Sequence, residues 1–197
     1  MAIKTANNQS MTAITSLSGV TAGNLVLIST ETASSSSTIT FASGIDSTYK
    51  EYIFKYYDVH PSAGVRLAVN FRDGSTAYDA TKTSTFFEAY QNEAGTSTSV
   101  DYVTDYDLAQ STAVQSIGYI GNENDESCAG TLHLYDPSST TFVKHYIATT
   151  PGYHGSNLAL TSYVAGYCNV TAAIDGVQFS MTSGNIDSGT FKMYGVS

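Results

Sequence analysis

From Gly23 onward, hydrophobic and polar residues alternate in short runs along the chain. These runs begin with "NLVLIST" and "TITFAS", continue with "EYIFKYYDVH", "VRLAVNFRDG" and "TSTFFEAYQNE", and end with "GVQFSMTS" and "GTFKMYGV". A period of two places successive side chains on opposite faces of a β-strand. The pattern predicts about ten short strands, with helical turns expected only around Asp105 to Ser111.

Turn signals between the runs predict how the strands connect. "PSAG" separates "EYIFKYYDVH" from "VRLAVNFRDG" and predicts a hairpin. Apolar residues alternate with Arg and Asn in its second strand, so we expect one buried and one solvated face. "DPSS" predicts another hairpin, because Pro presets φ while Asp and Ser side chains bond the local backbone. The run "ASSSS" is interpreted as a polar break between the first two strands.

One phrase occurs twice in the chain. "ASGIDSTYKEYIF" near the start of the strand region is echoed by "TSGNIDSGTFKMYG" near its end. In both copies an alternating strand runs into Ser-Gly, turns over Ile-Asp-Ser and leaves through an aromatic residue and a lysine. Glycine and aspartate suit such turns, because they accept positive φ or bond their own backbone. We interpret the phrase as one turn used twice, with an ancient duplication as the alternative.

The first residues follow a different pattern. Residues 1–22 are polar with widely spaced apolar side chains, and they show neither a helical nor an alternating period. They are predicted to form an extended N-terminal arm that lacks a core of its own. The candidate assembly contacts of this arm are its apolar residues Ile3, Met11, Ile14 and Leu17.

Composition also favours β structure. Ser and Thr make up about a quarter of the 197 residues, and 15 Tyr and 8 Phe occur with no Trp. Tyr and Thr suit half-exposed sheet surfaces, whereas the helix formers Leu, Glu, Lys and Arg are scarce. A chain of this length can bury one large core. We therefore predict an all-β protein in which residues 23–197 form a single antiparallel β-sandwich of jelly-roll type behind the arm.

Charge and hydropathy exclude several classes of partner. The formal net charge is −9, and the eight Lys and Arg residues are scattered, whereas nucleic-acid binding relies on clustered positive charge. No apolar run is long enough to span a bilayer, and the N-terminus lacks the pattern of a signal peptide. We expect a soluble protein with no nucleic-acid partner and no membrane span.

The two cysteines do not predict a framework. Cys128 and Cys168 are too few for a disulfide scaffold and lack the spacing of a metal site. We expect two reduced, structural thiols, with a single bridge as the alternative.

The residues able to carry chemistry do not form a catalytic motif. His133 and His145 would lie on one hairpin, but two histidines fall short of a metal site. No Gly-x-Ser-x-Gly elbow or phosphate-binding loop occurs. Two acidic runs are interpreted as solvated loops, with glycosidase carboxylates or, for the second run, Ca²⁺ ligands as alternatives. Their members are Asp101, Asp105 and Asp107, then Asn122, Glu123, Asn124, Asp125 and Glu126. We predict no enzyme, no cofactor and no metal.

Aromatic residues occupy both faces of "EYIFKYYDVH". Tyr52, Phe54 and Tyr56 alternate on one face and Tyr57 lies on the other. One face must be core. The other is expected to be a subunit interface or a second packed surface, with a platform that stacks on sugar rings as the alternative.

Three stretches carry a resemblance to a known group of proteins. "LVLISTETASSSSTITFASGIDSTYKEYIFKYYDVHP", "GNENDESCAGTLHLYDPSSTTFVKHYIATT" and "SGNIDSGTFKMYGV" resemble virion structural proteins of tailed bacteriophages, particularly marine ones. The likeness extends over most of the chain from about Gly23, and it consists of strand and turn phrases. It implies a virion part without an active site.

The resemblance and the arm together lead to a functional expectation. We expect an exterior capsid decoration or cement protein, made in the host cytoplasm, that binds the major capsid protein through its arm and forms homo-oligomers. A tail- or fibre-associated module that recognises a host surface glycan is the alternative. A polysaccharide depolymerase is weaker, because such enzymes commonly use repetitive β-helices and no repeat period is present.

Overall fold

The structure of the protein is a computed structural model that describes residues 25–197. Within this range the chain forms twelve strands and no helix, which confirms the all-β prediction. The strands are β1 (Leu25–Ser36), β2 (Thr38–Phe41), β3 (Glu51–Pro61), β4 (Val65–Arg72), β5 (Lys82–Asn92), β6 (Thr98–Tyr102), β7 (Gln115–Ile120), β8 (Cys128–Tyr135), β9 (Lys144–His154), β10 (Leu158–Cys168), β11 (Gly176–Met181) and β12 (Ile186–Val196). The predicted arm, residues 1–22, lies outside the described residues.

The strands form two antiparallel sheets that enclose one core. The large sheet has eight strands in the order β1-β12-β3-β8-β9-β10-β5-β6, and the small sheet has four in the order β2-β11-β4-β7. Successive strands usually change sheets; only β5 to β6 and the run from β8 to β10 remain in one sheet. This alternation is consistent with the predicted β-sandwich, because each crossing carries the chain around the core.

The "PSAG" hairpin prediction is wrong. β3 belongs to the large sheet and β4 to the small sheet, so the turn crosses the core instead of joining paired neighbours. The solvated face predicted for β4 is also wrong at Asn70, which is 6% exposed. Its amide donates to the Thr112 carbonyl and accepts from Lys82, so loop and β5 residues cover this face. Local turn chemistry does not specify which sheet receives the next strand.

Other connections agree with the pattern only in part. β8 and β9 pair antiparallel across the "DPSS" turn, which confirms that hairpin. The "ASSSS" break is wrong, since β1 continues through Ser36 along β12; its polar residues suit an edge strand. The helical turns predicted at Asp105 to Ser111 are also wrong. The backbone there is tied to β5 by bonds such as Ser111 N–H to the Lys82 carbonyl, 2.9 Å.

Aromatic residues from both sheets meet in the core. The Phe179 ring lies 6.0 Å from Phe54 and 5.2 Å from Phe191, measured between centroids. Tyr52 and Tyr56 are fully buried whereas Tyr57 is 39% exposed, so the predicted division of this strand into a core face and an outer face is confirmed. Burying each such ring stabilises the fold by roughly 1.5–3 kcal/mol.

The repeated phrase forms related turns side by side. Gly44 and Gly184 adopt φ of 83° and 73°, values that favour glycine, where the chain leaves the small sheet for the large one. β2 pairs with β11 and β3 pairs with β12, so the two copies are neighbours in space. The shared glycine bend is confirmed, but the predicted turn over Ile-Asp-Ser is wrong for the second copy, where Ile186, Asp187 and Ser188 already belong to β12 while Ile45 lies in a loop.

The thiol prediction is confirmed, since Cys128 and Cys168 are both buried and free. No helix that could cross a membrane occurs among residues 25–197.

Candidate interaction surfaces

The predicted assembly contacts Ile3, Met11, Ile14 and Leu17 lie outside the described residues. The described chain begins at Leu25, the first residue of β1. β1 is an edge of the large sheet, paired with β12 on one side. Within the described part of the chain, no strand bonds its other side, so backbone N–H and C=O groups along a twelve-residue strand face outward.

Apolar side chains surround the start of this edge. Leu25 is 39% exposed and Leu27 is 51% exposed. Leu25 lies opposite Val196 and Leu27 lies opposite Tyr194 on β12, so the four residues share the outer face of the sheet. The first residues of β1 therefore combine an unpaired backbone edge with an apolar surface.

A second surface lies near the opposite edge of the large sheet. Tyr163 on β10 pairs with Phe87 on β5, which pairs with Tyr102 on β6. The Tyr163 and Phe87 rings are stacked with centroids 4.9 Å apart and planes 13° from parallel. Their exposures are 36%, 40% and 55% for Tyr163, Phe87 and Tyr102. We call these three residues the aromatic ridge.

Shallow grooves flank the aromatic ridge because small side chains occupy the neighbouring rows. One groove of about 640 Å³ is lined by Pro151, Ala159 and Gln91 among others. The other, of about 480 Å³, includes Ala165 and Tyr167. The outer face is therefore a raised aromatic row between two depressions, a shape that fits a planar or ring-shaped ligand or a protein surface.

Hydroxyl groups near the ridge are fixed by carboxylates. Tyr102 donates to Asp107 at 2.7 Å, and this bond raises the pKa of the tyrosine. Tyr153, in the first groove, donates to Glu93 at 3.0 Å, which likewise raises the pKa of Tyr153. Both phenols remain protonated at neutral pH, so the surface offers neutral rings and hydrogen-bonding groups.

The two histidines of the β8–β9 hairpin have separate partners. His133 pairs with Ile147, which lies two residues after His145 on β9. Both histidines therefore lie on the outer face of the sheet. The His133 ring bonds Glu51 at 2.6 Å, whereas His145 packs against Tyr167 with centroids 6.1 Å apart. Among residues 25–197, no group of three His, Cys, Asp or Glu side chains is arranged to hold a metal ion.

The acidic loop between β7 and β8 is only partly solvated. Glu126 is 2% exposed, which contradicts its interpretation as a solvated carboxylate. Its side chain accepts the Glu123 N–H at 2.6 Å and its carbonyl bonds His60 at 2.7 Å. The Glu126 carboxylate therefore stabilises its own loop by bonding the Glu123 backbone. Asn122, Asn124 and Asp125 are exposed.

The other acidic run, between Asp101 and Asp107, is also only partly free in solvent. Asp101 and Asp105 are exposed, as predicted, while Asp107 is the partner of Tyr102. These carboxylates lie along β6 and the following loop.

Sequence patterns did not reveal the aromatic ridge. Phe87 follows the buried Phe86, so the sequence of β5 offers an aromatic residue on each face, and the strand that carries Tyr102 was not predicted. Phe87 and Tyr163, however, are 76 positions apart in the chain, and only the nonlocal pairing of β5 with β10 makes them neighbours. The predicted aromatic surface at Tyr57 contributes a single exposed ring.

Comparison with known proteins assigns no family. No family model matches the chain, and no curated protein matches it either.

Proposed function

We propose that this chain is a structural protein of a tailed-bacteriophage virion that decorates and cements the exterior of the capsid through its N-terminal arm, residues 1–22. It is made in the host cytoplasm and then joins the virion. Its partners are the major capsid protein and further copies of the same chain. The observation that carries the proposal is the outer edge of β1, to which no strand of residues 25–197 is bonded.

An open edge strand is a ready partner for another chain. An added strand gains main-chain hydrogen bonds along its length, which is the basis of strand addition. β1 begins at Leu25, directly after the segment that contains Ile3, Met11, Ile14 and Leu17. Apolar contacts from that segment and backbone bonds from β1 would act on the same neighbour. A symmetric shell repeats such a contact many times.

The strand order supports a jelly-roll topology. β1-β12-β3-β8 in the large sheet and β2-β11-β4-β7 in the small sheet are two groups of four between which the chain alternates. β5, β6, β9 and β10 extend the large sheet beyond these eight. Jelly rolls occur in viral capsid proteins and in lectins. This support is an analogy at the level of the fold, which by itself does not fix function.

A second candidate function is favoured by the aromatic ridge. A tail- or fibre-associated module would bind host carbohydrate by stacking sugar rings on Phe87 and Tyr163, with groups such as Gln91 and Tyr153 as hydrogen-bonding partners.

Deletion of residues 1–22 tests the leading proposal. We expect the shortened protein to keep its sheet structure, because β1 begins at Leu25, and to lose binding to purified capsids by about tenfold or more. Cosedimentation with capsids lacking this protein measures binding, and far-ultraviolet circular dichroism verifies folding. Undiminished capsid binding by the shortened protein contradicts the proposal.

A ridge variant is the matched control. Phe87→Ala with Tyr163→Ala removes exposed rings and leaves residues 1–22 intact, so capsid binding should persist. Loss of glycan-array or host-cell binding in this double variant, together with failure of the full chain to bind capsids, assigns the protein to host recognition instead.

A further inference from the structure

Two lysines and a cysteine form a buried row at one end of the large sheet. Lys82 on β5 and Lys144 on β9 both pair with Cys168, which lies between them on β10. All three are 0% exposed. Lysine is rarely buried completely unless its ammonium group is paired. Within the described part of the chain, neither lysine forms an ion pair.

The partners of the two lysines differ in chemistry. Lys144 Nζ donates to the backbone carbonyls of Val170 and Ala172. Lys82 Nζ donates to the Ala80 carbonyl at 2.7 Å and to the side-chain oxygen of Asn70 at 2.5 Å. Only Lys82 therefore faces a carboxamide, a group that an amine can attack with loss of ammonia.

The Asn70 amide is held on both sides. Its Oδ1 also accepts the Phe71 N–H at 3.1 Å, so one backbone donor stays on the oxygen when Lys82 Nζ turns from Oδ1 to attack Cγ. Its Nδ2 donates to the Thr112 carbonyl at 3.2 Å. Asn70 itself is 6% exposed, and competing attack by water is limited. A fixed donor on the carbonyl oxygen stabilises the negative charge of the tetrahedral intermediate in acyl transfer.

Burial favours the neutral amine that this attack requires. Desolvation lowers the pKa of Lys82 to about 8, against smaller opposing effects of Cys168 on β10 and Asp79 in the preceding loop. About a tenth of the Lys82 side chains are then uncharged at pH 7, and half at pH 8. Lys144 is the other charged group of the row, and its positive charge lowers the pKa of the Cys168 thiol, against the effect of burial.

We propose that Lys82 and Asn70 join in an isopeptide bond that links the two sheets. Neutral Nζ attacks Asn70 Cγ, and a C–N bond forms while negative charge develops on Oδ1 beside the Phe71 N–H. One proton passes from Nζ to Nδ2, the Cγ–Nδ2 bond breaks, and ammonia leaves. The product is a secondary amide, and no oxidant, metal or cofactor is consumed.

The bond has a defined structural effect. Asn70 belongs to β4 in the small sheet and Lys82 to β5 in the large sheet, so the link ties the layers together covalently. It also replaces a buried ammonium by a neutral amide. An autocatalytic link of this kind suits a protein that serves as building material, although it stands independently of any virion role.

The mass of the purified full chain tests the proposal. After incubation at about pH 9, where the amine is mostly neutral, we expect the intact mass to fall by one ammonia, faster than in a sample kept near pH 6. Tryptic digestion should then yield a branched peptide in which the segment containing Asn70 is attached to Lys82, and cleavage after Lys82 should be lost. An unchanged mass with normal cleavage after Lys82 overturns the proposal.

Three variants separate the crosslink from other events. Lys82→Arg should abolish the mass loss; if the loss persists, Asn70 has cyclised with its own backbone and the proposal fails. Asn70→Ala should abolish it as well. Lys144→Met removes the equally buried lysine that faces no carboxamide, so ammonia loss should continue. The branched peptide from the unmodified sequence decides the matter even where a variant fails to fold.

Discussion

Arg66 and Glu88 form a nearly buried ion pair between the sheets. The Arg66 guanidinium donates to both carboxylate oxygens of Glu88, at 2.7 and 3.3 Å. Their side chains are 12% and 11% exposed. Ser162 donates to Glu88 at 2.8 Å, and the Tyr106 ring centroid lies 3.6 Å from the guanidinium carbon. The arginine is therefore enclosed by an acid and an aromatic face.

Removing the acid is expected to be costly. Glu88→Ala leaves the Arg66 charge buried without its partner, which should lower the free energy of unfolding by about 3–5 kcal/mol. Urea denaturation followed by circular dichroism measures this loss. A decrease below about 1 kcal/mol would mean that solvent reaches Arg66 easily in the folded protein.

The Lys50–Asp136 pair supplies the control. Its atoms are as close, at 2.8 Å, but the side chains are 80% and 43% exposed. Lys50→Ala should therefore change stability by about 1 kcal/mol or less. The contrast isolates burial as the cause, since bond length is similar in both pairs.

At the scale of elements, the close approach of β7 and β9 depends on Gly118. A Cβ atom at this position would lie 2.6 Å from Thr150 Cγ2, well inside contact distance. Thr150 cannot turn away freely, because its hydroxyl is bonded to the buried Tyr56 hydroxyl at 2.5 Å. A glycine is thus needed where the small sheet meets the large one.

Gly118→Ala should destabilise the fold by about 1–3 kcal/mol through overpacking. Replacing Thr150 by Ser in the same chain removes the nearest methyl group and should recover part of this loss. Gly155→Ala is the matched control, since its nearest atom is 3.7 Å away, and its effect should stay within about 0.5 kcal/mol. Thermal and urea unfolding of the three proteins provide the comparison.

The positions of strands in the sequence are easier to predict than the pairing between strands. The alternating period identified β3, β4 and β5 from local residues, because burial on one face imposes it. Pairing depends on contacts far apart in sequence, so "DPSS" and "PSAG" looked alike although one closes a hairpin and the other crosses between sheets. The loop from Asp105 to Ser111 was missed because its structure comes from bonds to β5.

At the scale of the whole molecule, several ionisable groups are buried in their neutral form. Burial raises the pKa of the Cys168 thiol from 9.0 to about 12. Burial also raises the pKa of Cys128, Tyr56 and Tyr146 well above their ordinary values. In the unfolded chain these four groups ionise near pH 9 and 10, whereas in the folded protein they keep their protons.

The folded state should therefore lose stability in alkali. Raised pKa values contribute stability that is complete below pH 9 and declines as pH rises. Lys82 acts oppositely between about pH 8 and its ordinary pKa of 10.5, so the net decline should be clear above that point. Near pH 11 the folded protein holds four protons that the unfolded chain has lost. The free energy of unfolding should therefore fall on the order of 5 kcal/mol per pH unit. Urea titrations at successive pH values measure this slope.

Cys128→Ala identifies one contributor to that slope. The variant removes one of the four groups, so the alkaline decline should become shallower by roughly a quarter. An unchanged slope would mean that the Cys128 thiol ionises in the folded protein.

The candidate surfaces show what sequence can and cannot reveal at this scale. The period of two places Phe86 and Phe87 on opposite faces of β5, but the stacking of Phe87 on Tyr163 follows from register between distant strands. Glu126 resembled any other acidic loop residue, and its burial depends on how the loop folds back on itself. The buried Lys82 also looked ordinary, because its polar partners come from other segments.

The pairing of Leu25 with Val196 has a practical consequence for labelling. A reporter domain fused after Ser197 would emerge from the end of β12 beside the first residue of β1 and would crowd that end of the edge strand. The β5–β6 turn at residues 93–97 lies by the opposite border of the large sheet, seven strand spacings or about 34 Å away along its contour. An epitope inserted there leaves the first strand free to meet another polypeptide.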